Sequence, residues 1–307
     1  MKQEKLNSKL EGMTAVLPLF DSHTHLSLED FRRNQQAYGA SIPLPPGFTQ
    51  TATKLGNIPA TFLKGPGTKE DGTILFFHSG SYCSGHPADQ MAYVAQLCEA
   101  ARFSAFIPDY RIAPEDPFPA AYDDSCGAYS ALLSNLKLPG EKIALVGDSS
   151  GGSLAIAVAQ FARDNNLDLP AAVYSVSPWA DLTQSGSSYT SRASFDPVLH
   201  KDALQGFADA YLSGADPADV RASPAFGSFE NFPPVLIDVG ADEVLLSDAL
   251  HLAERIGLAG GDVQLNVWKD MIHIFPWFAT QIPEGRVATE RAGRWLRNCL
   301  GLKKDLD

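Results

Sequence analysis

Lys142-Ile143-Ala144-Leu145-Val146-Gly147-Asp148-Ser149-Ser150-Gly151-Gly152-Ser153-Leu154-Ala155-Ile156-Ala157-Val158-Ala159 reads as an apolar strand, a tight Gly-x-Ser-x-Gly turn and a small-residue helix. In that context the serine takes a strained backbone conformation: its hydroxyl stands above the carboxyl end of the strand and the next amide opens a helix. The pentapeptide alone is a weak signal. With Gly at 25 of 307 positions and Ser as common, roughly 0.2 chance matches are expected in such a chain before the flanks are considered. A nucleophile also needs a base, an orienting acid and donors for an oxyanion, so the rest of the chain decides the reading.

Outward from the turn, short apolar runs alternate with helical segments. The runs are Thr61-Phe62-Leu63, Thr73 to Phe77, Phe103 to Ile107, Ile143 to Val146, Ala172 to Val176, Val235 to Val239 and Val263 to Trp268. Near-continuous apolar runs suit strands buried on both faces. Helical periodicity fills Ala88 to Ala101, Pro119 to Leu136, Ser150 to Asp164, Ser247 to Leu258 and Pro283 to Leu300. The alternation predicts an α/β chain with a doubly wound, mostly parallel sheet.

Ligands of such sheets bind beyond the carboxyl ends of the strands. The residues there are His78-Ser79-Gly80-Ser81-Tyr82, Pro108-Asp109-Tyr110-Arg111, the serine turn, Gly240-Ala241-Asp242, and Lys269-Asp270-Met271-Ile272-His273. Ser149, Asp242 and His273 therefore fall on one edge in the order nucleophile, acid, base. Asp242 is preferred for its place two residues past its strand, over Glu243 beside it and over Asp248; Asp238 lies within the strand and points away. A helix cap at Asp242 and a packed imidazole at His273, among Ile272, Ile274 and Phe275, are the plainer alternatives. The Ser150 amide supplies one oxyanion donor, and the amides of the 78–81 loop supply the others. Cys83, in the same loop, reads as a packed thiol.

Composition bounds the rest: 45% apolar and 20% charged residues are ordinary for one large α/β domain with an appendage. A formal charge of −12 without any basic stripe argues against nucleic acid or an anionic membrane as partner. No export signal or transmembrane stretch is visible. Cys83, Cys98, Cys126 and Cys299 lack metal or disulfide spacing and read as reduced thiols, which points to the cytoplasm. Ser27-Leu28-Glu29-Asp30 opens a helix with a capping box, running through Phe31, Gln35 and Tyr38 to Gly39. Just upstream, Phe20-Asp21-Ser22-His23-Thr24-His25 resembles the His-x-His metal motif of amidohydrolase (β/α)₈ barrels. Further strand-end ligands for a metal are not found among His78, His86, His200, His251 and His273, so His23 and His25 are read as surface or cap residues and no metal is expected.

The dense agreement lies elsewhere. Asp109-Tyr110-Arg111-Ile112-Ala113-Pro114-Glu115, Phe118-Pro119-Ala120-Ala121 with Asp124, Gly147 to Gly152, Ser177-Pro178-Trp179-Ala180-Asp181-Leu182, Gly240-Ala241-Asp242 and Met271-Ile272-His273-Ile274-Phe275 resemble the bacterial hormone-sensitive-lipase-like family of α/β-hydrolase carboxylesterases. The resemblance spans about Thr73 to the last helix. It implies an eight-stranded core, residues 51–182 and 231–307, under a helical cap formed by residues 1–50 and 183–230. It also implies a serine carboxylesterase for small to medium esters, with Ser149, Asp242 and His273 as triad and no cofactor. Lactone hydrolysis, amide hydrolysis and a non-catalytic ligand-binding role, as in the plant gibberellin receptors that resemble this family, are the alternatives. His273 is retained here, against the last of these. The family writes its oxyanion loop His-Gly-Gly-Gly where this chain has His78-Ser79-Gly80-Ser81, and residue-by-residue transfer gives the Ser79, Gly80 and Ser150 amides as donors. Tyr82, Trp179, Phe195, Phe226, Phe275 and Trp277 are candidates for the pocket wall, with core packing the competing role. The partner is a small ester or lactone, and a homodimer is compatible with the sequence.

Overall fold

Eight strands form a single sheet in the computed structural model, which describes residues 27–69 and 71–301. They are β1 (Thr49–Leu55), β2 (Ile58–Lys64), β3 (Thr73–Phe77), β4 (Ser104–Pro108), β5 (Ile143–Asp148), β6 (Ala172–Val176), β7 (Val235–Gly240) and β8 (Val263–Trp268). The spatial order is β1-β2-β4-β3-β5-β6-β7-β8. Pairing is antiparallel for β1/β2 and β2/β4 and parallel from β4 onward. In the central register Gly147 lies opposite Phe77 on one side and Ser175 on the other. The serine turn therefore leaves the sheet between the 78–81 loop and the loop that begins at Ser177.

Helices cover both faces, as a parallel sheet requires. They are α1 (Leu28–Ser41), α2 (Met91–Ala101), α3 (Ala120–Ser134), α4 (Ser150–Asp164), α5 (Ser188–Ser191), α6 (Lys201–Leu212), α7 (Leu246–Leu258) and α8 (Pro283–Cys299). The fully buried β5 divides its side chains by strand periodicity: Ile143 and Leu145 join the core under α3, α4 and α7, while Ala144 and Val146 join the core under α2 and α8. Each such Leu, Ile or Val withdrawn from water contributes about 1.5–3 kcal/mol.

The strand missing from the apolar-run reading is β1, Thr-Gln-Thr-Ala-Thr-Lys-Leu, which is largely exposed. As an edge strand paired only with β2, it needs β-branched residues but no apolar run. The predicted helix at Ala88 begins instead as a 3₁₀ turn, Pro87–Gln90, before α2. Helix α1 starts as expected, with the Asp30 amide donating to Ser27 Oγ (3.1 Å), and runs two residues past Gly39. Its buried face meets the 78–84 loop, where Ser84 Oγ donates to Gln35 Oε1 (2.8 Å) and Arg32 donates to the Cys83 carbonyl (2.8 Å). Phe31 packs on Phe207 of α6, ring centroids 5.5 Å apart.

Candidate active site

At the end of β5 the chain reverses into α4 within one residue, and Ser149 takes φ 54° and ψ −123°. The two flanking glycines are required by proximity: a Cβ on Gly147 would lie 2.2 Å from the Gly151 carbonyl oxygen, and one on Gly151 would lie 2.1 Å from that of Phe77. The strained serine is held by backbone bonds, its amide donating to Val176 (2.8 Å) and its carbonyl accepting from Trp179 (3.1 Å). The Ser150 amide stands in the first turn of a fifteen-residue helix, where the N–H groups have no intrahelical acceptor.

His273 follows β8 and is 4% exposed. Its Nδ1 donates to Glu243 Oε2 at 2.8 Å. A carboxylate at Nδ1 fixes the proton there and leaves Nε2 as the acceptor. Glu243 is fully buried, and its other oxygen accepts from the Ser177 hydroxyl (2.8 Å) and the Gly240 amide (2.6 Å). Ser177 Oγ in turn accepts from the Ile274 amide (3.0 Å), tying the acid-bearing turn to the histidine loop. This corrects the expectation for Asp242. Strand β7 runs on through Gly240, and the bond from the Gly240 amide to the Glu243 side chain closes the turn. The carboxyl that reaches the imidazole is thus three residues past the strand, while the Asp242 amide donates to Met271 (3.1 Å). The Glu243 side chain spans the extra distance.

The 78–81 loop differs from its expectation in a similar way. The Ser79 amide donates to Gln90 Oε1 at 3.0 Å, so it is engaged and does not face an oxyanion. The next two peptides are fixed through their carbonyls: Ser79 C=O accepts from His78 Nδ1 (2.9 Å), and Gly80 C=O accepts from the Cys83 amide (3.0 Å), the Ser84 amide (2.8 Å) and Ser84 Oγ (3.0 Å). In a trans peptide the N–H points opposite to the C=O, which turns the Gly80 and Ser81 amides away from those partners. Gly80 has φ +134°, and a Cβ there would lie 2.1 Å from the Ser84 carbonyl oxygen, so this position requires glycine. Ser81, in place of a glycine, accepts a left-handed φ of 54°. His78 is stacked on Tyr110 with centroids 4.1 Å apart, and burial lowers its pKa to about 4, so it is neutral.

Ser149 and His273 open into one cavity of about 50 Å³. Among the described residues its walls come from Phe31 and Gln35 of α1, the 79–81 loop, Val198 and Leu199, and Ile274, Trp277 and Phe278. Of the six aromatic candidates only Trp277 lines it. Tyr82 stacks on Tyr211 at 4.0 Å and packs against the fully buried Trp179, while Phe275 packs on Trp268. Phe195 lies beneath the Arg192 guanidinium, and Phe226 lines a separate surface groove with Arg255 and Leu258. Sequence reading also missed Asp196, which is buried and accepts from the amides of Val198, Leu199 and Val244 (2.9 Å each). It thereby ties the cavity wall to the residue after Glu243, and burial raises its pKa to about 6. The only signal was an Asp-Pro pair in a loop. His23 and His25 lie outside the described residues; among those described, no cluster of three or more metal-ligating side chains occurs and no helix is long and apolar enough to cross a membrane.

A family model described as the alpha/beta hydrolase fold matches residues 74–277. An acetyl-hydrolase of Streptomyces hygroscopicus is 39% identical over 271 residues, 88% of this chain and 89% of the relative. A crystal structure of an esterase from the bacterial hormone-sensitive lipase family superposes with a TM-score of 0.90 at 34% identity, covering 95% of this chain and 99% of the other. EstE5, in crystals soaked with p-nitrophenyl butyrate, gives 0.86 at 34% identity, covering 90% and 92%. The sheet order and the family match define an α/β-hydrolase. The chain belongs to the bacterial hormone-sensitive-lipase-like family of that fold, and it is a carboxylic ester hydrolase.

Proposed function

We propose that this esterase works through an acyl-enzyme on Ser149, with His273 as base and then acid and Glu243 as its orienting carboxylate. The observation that carries the reading is the 2.8 Å bond from His273 Nδ1 to the buried Glu243, on a histidine that shares a cavity with Ser149. His273 Nε2 removes the serine proton as Ser149 Oγ attacks the ester carbonyl. The amides of Gly80, Ser81 and Ser150 hold the negative oxygen of the tetrahedral intermediate. His273 then gives its proton to the departing alkoxide, and a water deprotonated by the same nitrogen releases the acid. Glu243 stabilises the imidazolium formed in each step. Helix α1, with residues 183–230, forms a cap over the cavity; the side chains of Phe31, Gln35, Val198 and Leu199 on its wall support this. We also propose a cytoplasmic location, supported by four unpaired cysteines; cell fractionation checks it.

Short acyl groups are the favoured substrates. A single water needs roughly 10–15 Å³ of such space, so a cavity of about 50 Å³ suits a few heavy atoms beyond the carbonyl. The name of the Streptomyces acetyl-hydrolase and the butyrate ester soaked into EstE5 point the same way. A panel of p-nitrophenyl esters from acetate to dodecanoate, with a lactone and an anilide, tests this. The expected kcat/KM is greatest between acetyl and butyryl and falls at least about tenfold by octanoyl, since a chain longer than the cavity must displace packed wall side chains, an overpacking that costs about 1–3 kcal/mol. A maximum at dodecanoyl, or on the lactone or anilide, contradicts it.

A further inference from the structure

Gln90 joins the two halves of the oxyanion site. Its Oε1 accepts the Ser79 amide, and its Nε2 donates to Oδ2 of Asp148, the residue before Ser149. Gln90 and Asp148 are each 1% exposed, and Asp148 Oδ1 has no hydrogen-bond partner among the described residues. The sheet itself does not span this distance, because the β3/β5 ladder ends with Phe77 opposite Gly147. Beyond that pair the 79–81 loop and the serine turn go separate ways, and the Asp148–Gln90–Ser79 bridge crosses between them. The bridge needs a residue that donates and accepts from one end of its side chain, which a carboxamide does; a carboxylate donates nothing and an alkyl group does neither.

We infer that Gln90 is a positioning residue for ester hydrolysis: by clamping the Ser79 amide to Asp148 it sets the separation between the Gly80 and Ser81 amides and the Ser150 amide. This rests on the serine mechanism proposed above. Gln90 itself is not among the described residues that line the cavity. Occupying the Ser79 amide also keeps that peptide from rotating its N–H into the cavity, which would carry the Gly80 amide out of place. The groups facing Asp148 are His273, Tyr93 of α2, Tyr110 beyond β4 and the Ser79 hydroxyl. A further carboxylate, Asp89, adjoins Gln90 on the same turn and is itself raised by burial to about 6, while burial keeps the two phenols un-ionised.

Gln90→Glu is the discriminating variant, because it is nearly isosteric. While the introduced carboxyl and Asp148 share one proton, the bridge persists: the O–H donates to one carboxylate oxygen and the C=O accepts from Ser79. Burial already raises Asp148 to about 6, and a second carboxyl beside it holds the shared proton to higher pH. Loss of that proton sets two anions against each other and breaks the clamp. The expected kcat of Gln90→Glu on p-nitrophenyl butyrate is within about threefold of wild type near pH 6 and falls roughly 10–100-fold further than wild type by about pH 9, reversibly, with KM changed less than about threefold.

Gln90→Leu is expected to lose a similar factor in kcat at every pH, and the affinity of a trifluoromethyl ketone, which forms an oxyanion on the serine, falls in parallel. A Gln90→Glu profile parallel to wild type overturns the inference, as does Gln90→Leu with kcat within about threefold of wild type. Because Gln90→Glu is compared with itself at two pH values, a misfolded Leu variant leaves the test intact. Failure of the serine mechanism registers separately, as ester turnover by Ser149→Ala.

Discussion

Replacing Glu243 by Gln isolates the step in which a buried carboxylate sets the histidine tautomer. The side chain has three bonds: Oε1 accepts from Ser177 Oγ (2.8 Å) and the Gly240 amide (2.6 Å), and Oε2 accepts from His273 Nδ1 (2.8 Å). A carboxamide can keep the first two through its oxygen, so the turn survives. Its NH₂ group then faces Nδ1, which must become an acceptor, and the imidazole proton moves to Nε2. That tautomer cannot take the proton of Ser149, and no carboxylate remains to stabilise an imidazolium. The corresponding carboxylate-to-amide change in a serine protease triad lowers kcat about 10⁴-fold, which is about 5.4 kcal/mol at 1.36 kcal/mol per decade. A loss of about 10³–10⁴-fold is expected for Glu243→Gln, with circular dichroism unchanged. Asp242→Asn leaves the three Glu243 bonds in place and is expected to cost less than about tenfold. Initial rates on p-nitrophenyl butyrate with purified variants measure both. Glu243→Gln within tenfold of wild type, or Asp242→Asn reduced by a hundredfold, refutes the assignment of the acid.

Two stability predictions accompany it. Burial carries Asp148 up to about 6 from an unfolded value near 3.9, so the native chain holds this proton more tightly than the unfolded one. The resulting penalty is fully present above about pH 6 and vanishes below about pH 4. Asp148→Asn is therefore expected to gain about 2–3 kcal/mol in urea unfolding at pH 7.5 and nothing near pH 4; an equal difference at both pH values contradicts this. Arg32→Ala removes bonds to the Cys83 and Ala113 carbonyls (2.8 Å each) and a two-pronged contact with Glu115 (2.7 Å each). The cost is about 1–3 kcal/mol, chiefly from the two carbonyls, because the Glu115 side chain is 59% exposed. An unfolding free energy changed by less than about 0.5 kcal/mol goes against that role for α1.

The parts legible in the sequence were those whose patterns are enforced by burial on both sides. Strand β5, the serine turn and α4 were readable because every residue from Ile143 to Asp148 is buried, the turn needs its glycines, and the helix needs small residues against the sheet. Strand β1 was not, since an exposed threonine-rich edge has no apolar run. Asp242 was preferred by counting two residues past a strand; it does stand two past Gly240, where β7 ends, but the carboxyl bonded to His273 is one residue further on. Nothing local distinguishes two adjacent carboxylates; what separates them is that Ser177, sixty-six residues away, donates to Glu243. Ser79 failed as an oxyanion donor for a like reason: its acceptor, Gln90, comes from the turn before α2. The aromatic residues were ambiguous by type, and Tyr82, Trp179 and Phe275 proved to be packed in the core while Phe31 and Phe278 line the cavity.

The central claim, that ester turnover passes through Ser149, is tested most directly by titrating the protein with a fluorophosphonate and mapping the adduct by peptide mass spectrometry. The account predicts one adduct, on the peptide carrying Ser149, with p-nitrophenyl butyrate turnover lost in proportion to labelling and no labelling of Ser149→Ala. Full turnover by the labelled protein, or an adduct at another residue that accounts for the loss, contradicts it.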